Sequence, residues 1–148
     1  MLGTLAKWLR ILGHDTHYQR HYSAGAFTRL TDEGRYLLTR RRETAKQYNN
    51  TFLLRSNNVG DQLGELKELA DLASARLKWF NRCLMCNTPL EKAHPDAARE
   101  NVPEYVFYHN ASEIRYCSSC GRYYWPGSHR ENMVKQLAKW GLHPFGLK

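Results

Sequence analysis

The four cysteines constrain this chain more than any other feature. They form two pairs, "CLMC" at Cys83 and Cys86 and "CSSC" at Cys117 and Cys120, with residues 87–116 between them. Two CxxC turns set four thiolates at the corners of a tetrahedron, the geometry that structural Zn²⁺ accepts. A closed all-thiolate set leaves no position for water, so the expected zinc holds the fold and takes no part in catalysis. Two disulfides, or a redox CxxC, are the competing readings. A cytosolic setting disfavours the first, and the second does not explain why the motif comes twice.

Between and after the pairs, "VPEYVFYH", "IRYC" and "GRYYWPG" read as the strands and turn of a zinc ribbon. The segment is rich in rings: Tyr105, Phe107, Tyr108, Tyr116, Tyr123, Tyr124 and Trp125. Beside Arg115, Arg122 and Arg130 such rings suit base stacking. A module this small also needs aromatic bulk for its core, so at least half of them are expected to be structural.

The first sixty residues alternate helical and strand patterns. "MLGTLAKWLRILG" places Leu2, Leu5, Leu9 and Leu12 at helical spacing with Gly13 as the stop. "HDTHYQ" is a short strand candidate, and "SAGAFTRLTDEG" a brief helix with Ser23 as cap and Gly34 beyond its end. "RYLLT" and "TFLLRS" are short apolar strands, separated by "RRRETAKQYNN". Strands too apolar for a wet face, alternating with helices, imply a small parallel sheet covered by helices. "NNVGDQLGELKELADLASARLKWF" reads as one long amphipathic helix, with Asn58 and Asp61 resembling a capping pair. "SHRENMVKQLAKWGLHP" reads as a C-terminal helix in which Ser128 and Glu131 have capping-box spacing, Met133, Leu137 and Trp140 share a face, and Gly141 and Pro144 mark the end. The expected domains are 1–80 (α/β), 81–130 (zinc ribbon) and 131–148 (helix and tail).

Net charge is +8, and it is uneven. Residues 1–60 hold ten Lys/Arg against four Asp/Glu, and the rest twelve against ten. A field concentrated on the first segment points to a polyanion, of which nucleic acid is the commonest in the cytosol. No apolar run approaches the roughly 20 residues of a membrane helix, and the N-terminus has neither signal-peptide nor anchor character. A cytoplasmic, membrane-free protein is the expectation.

The segments "MLGTLAKWLRILGHDT", "GRYLLTRRRE", "LLRSNN…DQL", "RCLMCNTPL" and "CSSCGRYYWPGSHRENM" stand in the order and spacing of the Mut7-C family, which the chain resembles over nearly its whole length. The resemblance implies a PIN-like nuclease fold with an appended zinc ribbon, and ribonuclease activity. PIN-type nucleases hold Mg²⁺ or Mn²⁺ with acids at the strand ends, because hard cations need oxygen ligands. This chain departs from that pattern. The family's first strand, with its aspartate, would precede Met1. The aspartate after "LLTR" falls on Arg41, "QRHYSAG" contains no acid, and a later acidic pair falls near Asn57 and Asn58. The carboxylate in sight is Glu43.

Guanidinium groups at such a spot repel Mg²⁺ and attract phosphate. The favoured reading is therefore a non-catalytic, ribonuclease-like protein that binds RNA at a degenerate acidic site, with Zn²⁺ in the ribbon and no Mg²⁺. Arg20, Arg40, Arg41, Arg42, Lys46 and Arg55 are the expected contacts, joined by Arg122, Tyr124 and Arg130 of the ribbon. Structured RNA, such as the ribosome or tRNA, is the expected partner, and a protein partner is one way to fill the missing strand. Two alternatives stand beside it. One is an active ribonuclease, metal-dependent if upstream residues complete the site, or metal-free through His14, His17 and His21. The other is a structural or assembly factor of a ribonucleoprotein.

Overall fold

Leucines at spacings of three and four make the first element a helix. In the computed structural model, which describes residues 2–69 and 79–143, α1 spans Gly3–Ile11 and Leu5, Leu9 and Leu12 are buried. It stops at Gly13, whose φ of +92° is the left-handed cap conformation that glycine adopts without strain. The chain divides into two compact units, one of Met1–Ala6 and His17–Ala70, the other of Lys7–Thr16 and Asp71–Lys148.

The first unit is built on two short parallel strands, β1 (Leu37–Thr39) and β2 (Thr51–Leu53), paired Leu37 to Thr51, Leu38 to Phe52 and Thr39 to Leu53. Helix α2 (Ala24–Asp32) precedes them, and α3 (Arg42–Gln47) makes the crossover that a parallel pair requires. Thr39 is buried at the end of β1, and its hydroxyl accepts the Arg41 N–H at 3.1 Å, turning the chain from strand into α3. The Thr51 hydroxyl donates to the Ala45 carbonyl at 2.8 Å and fixes the far end of that crossover. Tyr22, Phe27 and Tyr48 pack in series, the first two rings tilted with centroids 4.9 Å apart and the last two edge-on at 5.5 Å. Past β2, α4 (Val59–Glu65) opens on the expected cap: the Asn58 side chain accepts the Asp61 N–H at 2.9 Å. A 3₁₀ turn over Leu66–Glu68 follows.

The second unit carries an antiparallel sheet of β3 (Glu91–Lys92), β4 (Arg115–Tyr116) and β5 (Tyr123–Tyr124), in that order. Two helices, α5 (Pro95–Asn101) and α6 (Glu104–Asn110), are inserted between β3 and β4. Ala93, Ala98, Val102, Val106 and Ile114 form their buried core, with Phe107, Tyr116, Tyr123 and Trp125 packed against it. Helix α7 (Ser128–Lys139) buries Leu137, while Trp140 just beyond it meets Trp8 edge-on at 4.9 Å. Gly141, with φ +85°, ends it.

The mixed α/β class, the small parallel sheet, the separate cysteine-bearing sheet and the terminal helix are as the sequence implies. Several local readings are corrected. "VPEYVFYH" forms α6 rather than a strand. Its ring-rich composition favours a strand, but Pro103 opens a helix, and the buried Val106 with the half-buried Phe107 and Asn110 repeats at helical spacing. "HDTHYQ" is irregular, because the Thr16 N–H goes to the Asn87 side chain instead of a neighbouring strand. Gly127, not Ser128, occupies the N-cap position of α7, and Ser23 sits at the N-cap of α2 without a side-chain bond. The connection "RRRETAKQYNN" contains α3, and residues 95–101 contain α5, neither of which the apolar pattern of the sequence announces. The long helix expected from residue 58 is α4 plus its 3₁₀ turn; residues 70–78, like Pro144, lie outside the described residues.

Candidate metal centre and strand-edge cation site

The two CxxC pairs adopt the same turn. The Cys83 N–H donates to the Thr88 carbonyl at 2.9 Å, and the Asn87 N–H to the Cys83 carbonyl at 2.9 Å. In the second pair, Cys117 N–H meets the Arg122 carbonyl at 2.9 Å and Gly121 N–H the Cys117 carbonyl at 2.8 Å. Each turn needs a left-handed residue directly after its second cysteine, and Asn87 (φ +66°) and Gly121 (φ +77°) supply it. Glycine and asparagine are the residues that tolerate this conformation.

The result is four unbridged cysteines whose sulphurs all lie within 4.8 Å of one another. Cys83 and Cys117 are buried, Cys86 and Cys120 exposed, and the Cys83–Cys120 separation is 3.7 Å. A tetrahedral ion with metal–sulphur bonds of about 2.3 Å places its ligands about 3.8 Å apart, so the donor set fits a soft four-coordinate dication. Among the described residues this is the group of three or more His, Cys, Asp and Glu side chains that gathers closely enough to hold a metal. The thiols interact strongly. Bonding to Cys120, with burial and the neighbouring Cys83, pushes the Cys86 thiol up to about 12. Burial opposes ionisation of Cys117, but N–H groups of Cys120 and Ser119 outweigh it and bring that thiol down to about 7. Four thiolates this close repel one another, and a bound dication is what lets them ionise together.

A second ring of contacts holds the ligands. The Leu84 N–H donates to the Tyr124 hydroxyl oxygen at 3.3 Å, and the hydroxyl lies 3.1 Å from Cys83 Sγ. Burial and the adjacent Cys83 sulphur keep this phenol well above its ordinary range, so it stays a neutral donor. Thr88 and Ser119 join the two turns hydroxyl to hydroxyl at 2.8 Å. The first turn is also tied to the end of α1. Arg82 donates to the Gly13 and Asn87 carbonyls, Arg10 to the Thr16 and Leu84 carbonyls, and Asn87 bonds both the Thr16 N–H and the Asp15 carboxylate.

In the first unit, parallel pairing brings both carboxyl-terminal strand ends to one edge. Two residues past the last paired positions stand Arg41, after β1, and Arg55, after β2. Arg40 is bonded through its guanidinium to the Asn57 side chain, which comes from the loop after β2. Arg41, Arg42 and Arg55 are exposed, and among the described residues their guanidinium groups make no hydrogen bond or ion pair. Lys46 stands elsewhere. It lies in the last turn of α3, next to the Ala45 carbonyl bonded to Thr51 at the start of β2, hence at the opposite edge. Arg20 is exposed on the connection between α1 and α2.

The sequence alone points to Glu43 as the carboxylate near this edge, and Glu43 does lie in the first turn of α3. It gives no hint of Glu65. This side chain reaches back from α4 to accept the Ser56 hydroxyl, the Arg55 N–H at 2.9 Å and the Ser56 N–H at 2.8 Å. The Ser56 hydroxyl first, then those N–H groups and, least, the Arg55 charge hold its carboxyl below the ordinary carboxylate range. Ser56 and Glu65 are nine positions apart with no short motif linking them, so only the folded loop reveals the pairing. Asp61 is engaged by the Asn58 side-chain amide at 2.6 Å.

The ribbon candidates divide. Arg122 is exposed beside the second cysteine turn, and Tyr124 is half-buried on Cys83. Arg130 lies over the Phe80 ring at 4.3 Å, partly desolvated, on an open groove of about 470 Å³ lined also by Glu113, Glu131 and Lys135. Of the histidines, His17 Nδ1 meets the Tyr22 hydroxyl at 3.1 Å, and His14 belongs to the other unit.

The family model for the Mut7-C RNAse domain matches residues 1–137. No curated protein and no solved structure matches the chain.

Proposed function

The chain belongs to the Mut7-C RNase domain family, and on that premise we propose that it binds RNA phosphates at the carboxyl edge of its parallel strands without hydrolysing them. The observation that carries this reading is that Arg41 and Arg55 stand at the same register on that edge, both exposed, with neither guanidinium held in a hydrogen bond or close ion pair among the described residues. An exposed guanidinium that is not fixed in a close ion pair can meet an anion, and it fits a phosphate with two parallel hydrogen bonds. Of the carboxylates at this edge, Glu65 is already occupied by backbone N–H groups and the Ser56 hydroxyl, which leaves Glu43 of α3. Divalent-metal hydrolysis calls for several oxygen ligands around one ion, and a strand end carrying Arg40, Arg41 and Arg55 disfavours gathering them. The ion of the cysteine cluster is Zn²⁺ in this reading, and its role is to hold the second unit. RNA of the ribosome or tRNA kind, in the cytoplasm, is the partner we favour, with Arg20, Arg42, Lys46 and Arg122 as outlying contacts.

Family membership supports a second reading, an active ribonuclease, and one experiment separates the two. The full chain is titrated with a fluorescein-labelled single-stranded RNA over a range of salt, and the same RNA is assayed for cleavage with Mg²⁺, with Mn²⁺ and with EDTA. We expect tight binding at low salt and no cleavage. The Arg41→Ala/Arg55→Ala variant should bind about tenfold more weakly or worse and flatten the log–log salt slope by roughly 1.4, about 0.7 for each phosphate that is no longer neutralised. Metal-dependent cleavage by the purified chain, or unchanged binding by the double variant, overturns the proposal.

A further inference from the structure

The described residues leave few large apolar side chains in water: Tyr36, Met85, Tyr105 and Tyr108. Two of them, Tyr105 at 69% and Tyr108 at 62% exposure, stand three positions apart on α6. That spacing puts both rings on one face of the helix. Their neighbour Phe107 turns the other way and packs on the core formed with α5. The ring-bearing face is therefore not needed to close the unit, and it is preorganised. Arg99 of α5 donates to the Tyr108 hydroxyl at 3.4 Å, with its guanidinium carbon 5.7 Å from the centre of the Phe107 ring.

The local charge chooses the occupant. On a protein of net charge +8, the insertion over residues 95–113 carries Asp96, Glu100, Glu104 and Glu113 against a single Arg99. Asp96 faces His94 at 3.9 Å, and Glu113 lies by Arg130. Glu100 and Glu104 are exposed and make no ion pair among the described residues. Glu104 stands one position before Tyr105 and four before Tyr108 on the same helix, and a carboxylate there repels a phosphate backbone, so this is a poor platform for stacked bases. The same set is well matched to lysine and arginine side chains, whose charge is attracted by the ring faces and by the carboxylates together. Tyrosine is also a residue in which binding energy concentrates at protein interfaces.

We propose that the Tyr105/Tyr108 face of α6 docks a lysine- and arginine-rich segment of a partner protein, on a surface separate from the strand-edge arginines. The inference does not rest on RNA binding and survives if that reading fails.

The test uses the full zinc-loaded chain and a fluorescein-labelled peptide of alternating arginine and glycine, followed by anisotropy. The wild type should bind it. Tyr105→Ala/Tyr108→Ala should weaken binding about tenfold, as expected when two rings are removed from an interface. Tyr105→Phe, which keeps the Tyr108 hydroxyl bonded to Arg99, should match the wild type, because the ring and not the hydroxyl of residue 105 meets the peptide. Glu100→Gln/Glu104→Gln should weaken binding and flatten its salt dependence. Arg41→Ala/Arg55→Ala should leave it unchanged, which separates this result from any failure of the RNA reading. Absence of peptide binding by the wild type overturns the proposal. So does equal binding by the alanine variant, or a loss in that variant of single-stranded RNA binding with the peptide unaffected.

Discussion

The two compact units place their charge-bearing residues by opposite routes. In the second, the ligands are local: each pair sits in one turn whose hydrogen bonds, from Cys83 to Thr88 and from Cys117 to Arg122, are closed within six residues. In the first, nothing local assembles the site. Arg41 and Arg55 become neighbours only because β1 and β2 run parallel, and Glu65 reaches Ser56 only because α4 folds back. A site written into a turn survives in the sequence as a motif. A site written into topology leaves a scatter of residues with no spacing to recognise.

Removing the metal should have the largest effect. Structural zinc contributes about 10–16 kcal/mol of apparent binding energy at neutral pH, far above what a unit with such short strands holds in reserve. Chelation should therefore expose the amides of residues 82–92 and 115–124 to rapid hydrogen exchange, and those of 12–16 with them. Protection in 37–39 and 51–53 should fall much less. Uniform loss over the whole chain would mean that the two units fold as one.

In the first unit the expected effect is smaller. Glu65→Gln should lower stability by about 1 kcal/mol, the scale of a charged hydrogen bond partly in water. The sign with pH follows from the lowered carboxyl. Its contribution is present above the ordinary value of 4.5 and is lost as pH falls through the depressed folded value. Denaturant midpoints of wild type and variant should differ at pH 7 and converge in acid. A constant offset would show that shape, not charge, matters at Glu65.

The smallest change probes the turn itself. A Cβ at Gly121 meets nothing within 4 Å, so Gly121→Ala is opposed only by its φ of +77°. The cost should be about 1 kcal/mol, read as a lowered midpoint of thermal unfolding with zinc still bound. An unchanged midpoint would show that the turn relaxes around the substitution.

Legibility follows the same division. The metal ligands can be read at once, since a CxxC fixes its own geometry. The apolar runs at 37–39 and 51–53 announce themselves as strands, and their parallel pairing follows from the helical pattern around them. α6 does not, because "YVFY" has the composition of a strand while its burial obeys a helical period in which Val106 packs on Ala98, Val102 and Ile114 from elsewhere in the unit. Tyr124 resembles a base-stacking ring, yet its hydroxyl is spent on Cys83. Nothing in the neighbouring residues encodes that bond, because 41 positions separate the partners.

The bonds from Asn87 to Asp15 and Thr16 carry a consequence for how the protein is made. They join positions 72 and 71 apart, so the end of the first helix emerges from the ribosome long before its partners exist. At about 5–20 residues per second the wait is on the order of ten seconds. Through that interval the nascent segment lacks the bonds that Asn87 brings to Asp15 and Thr16. Its completion is timed by the arrival of the first cysteine turn, and thus by the supply of metal.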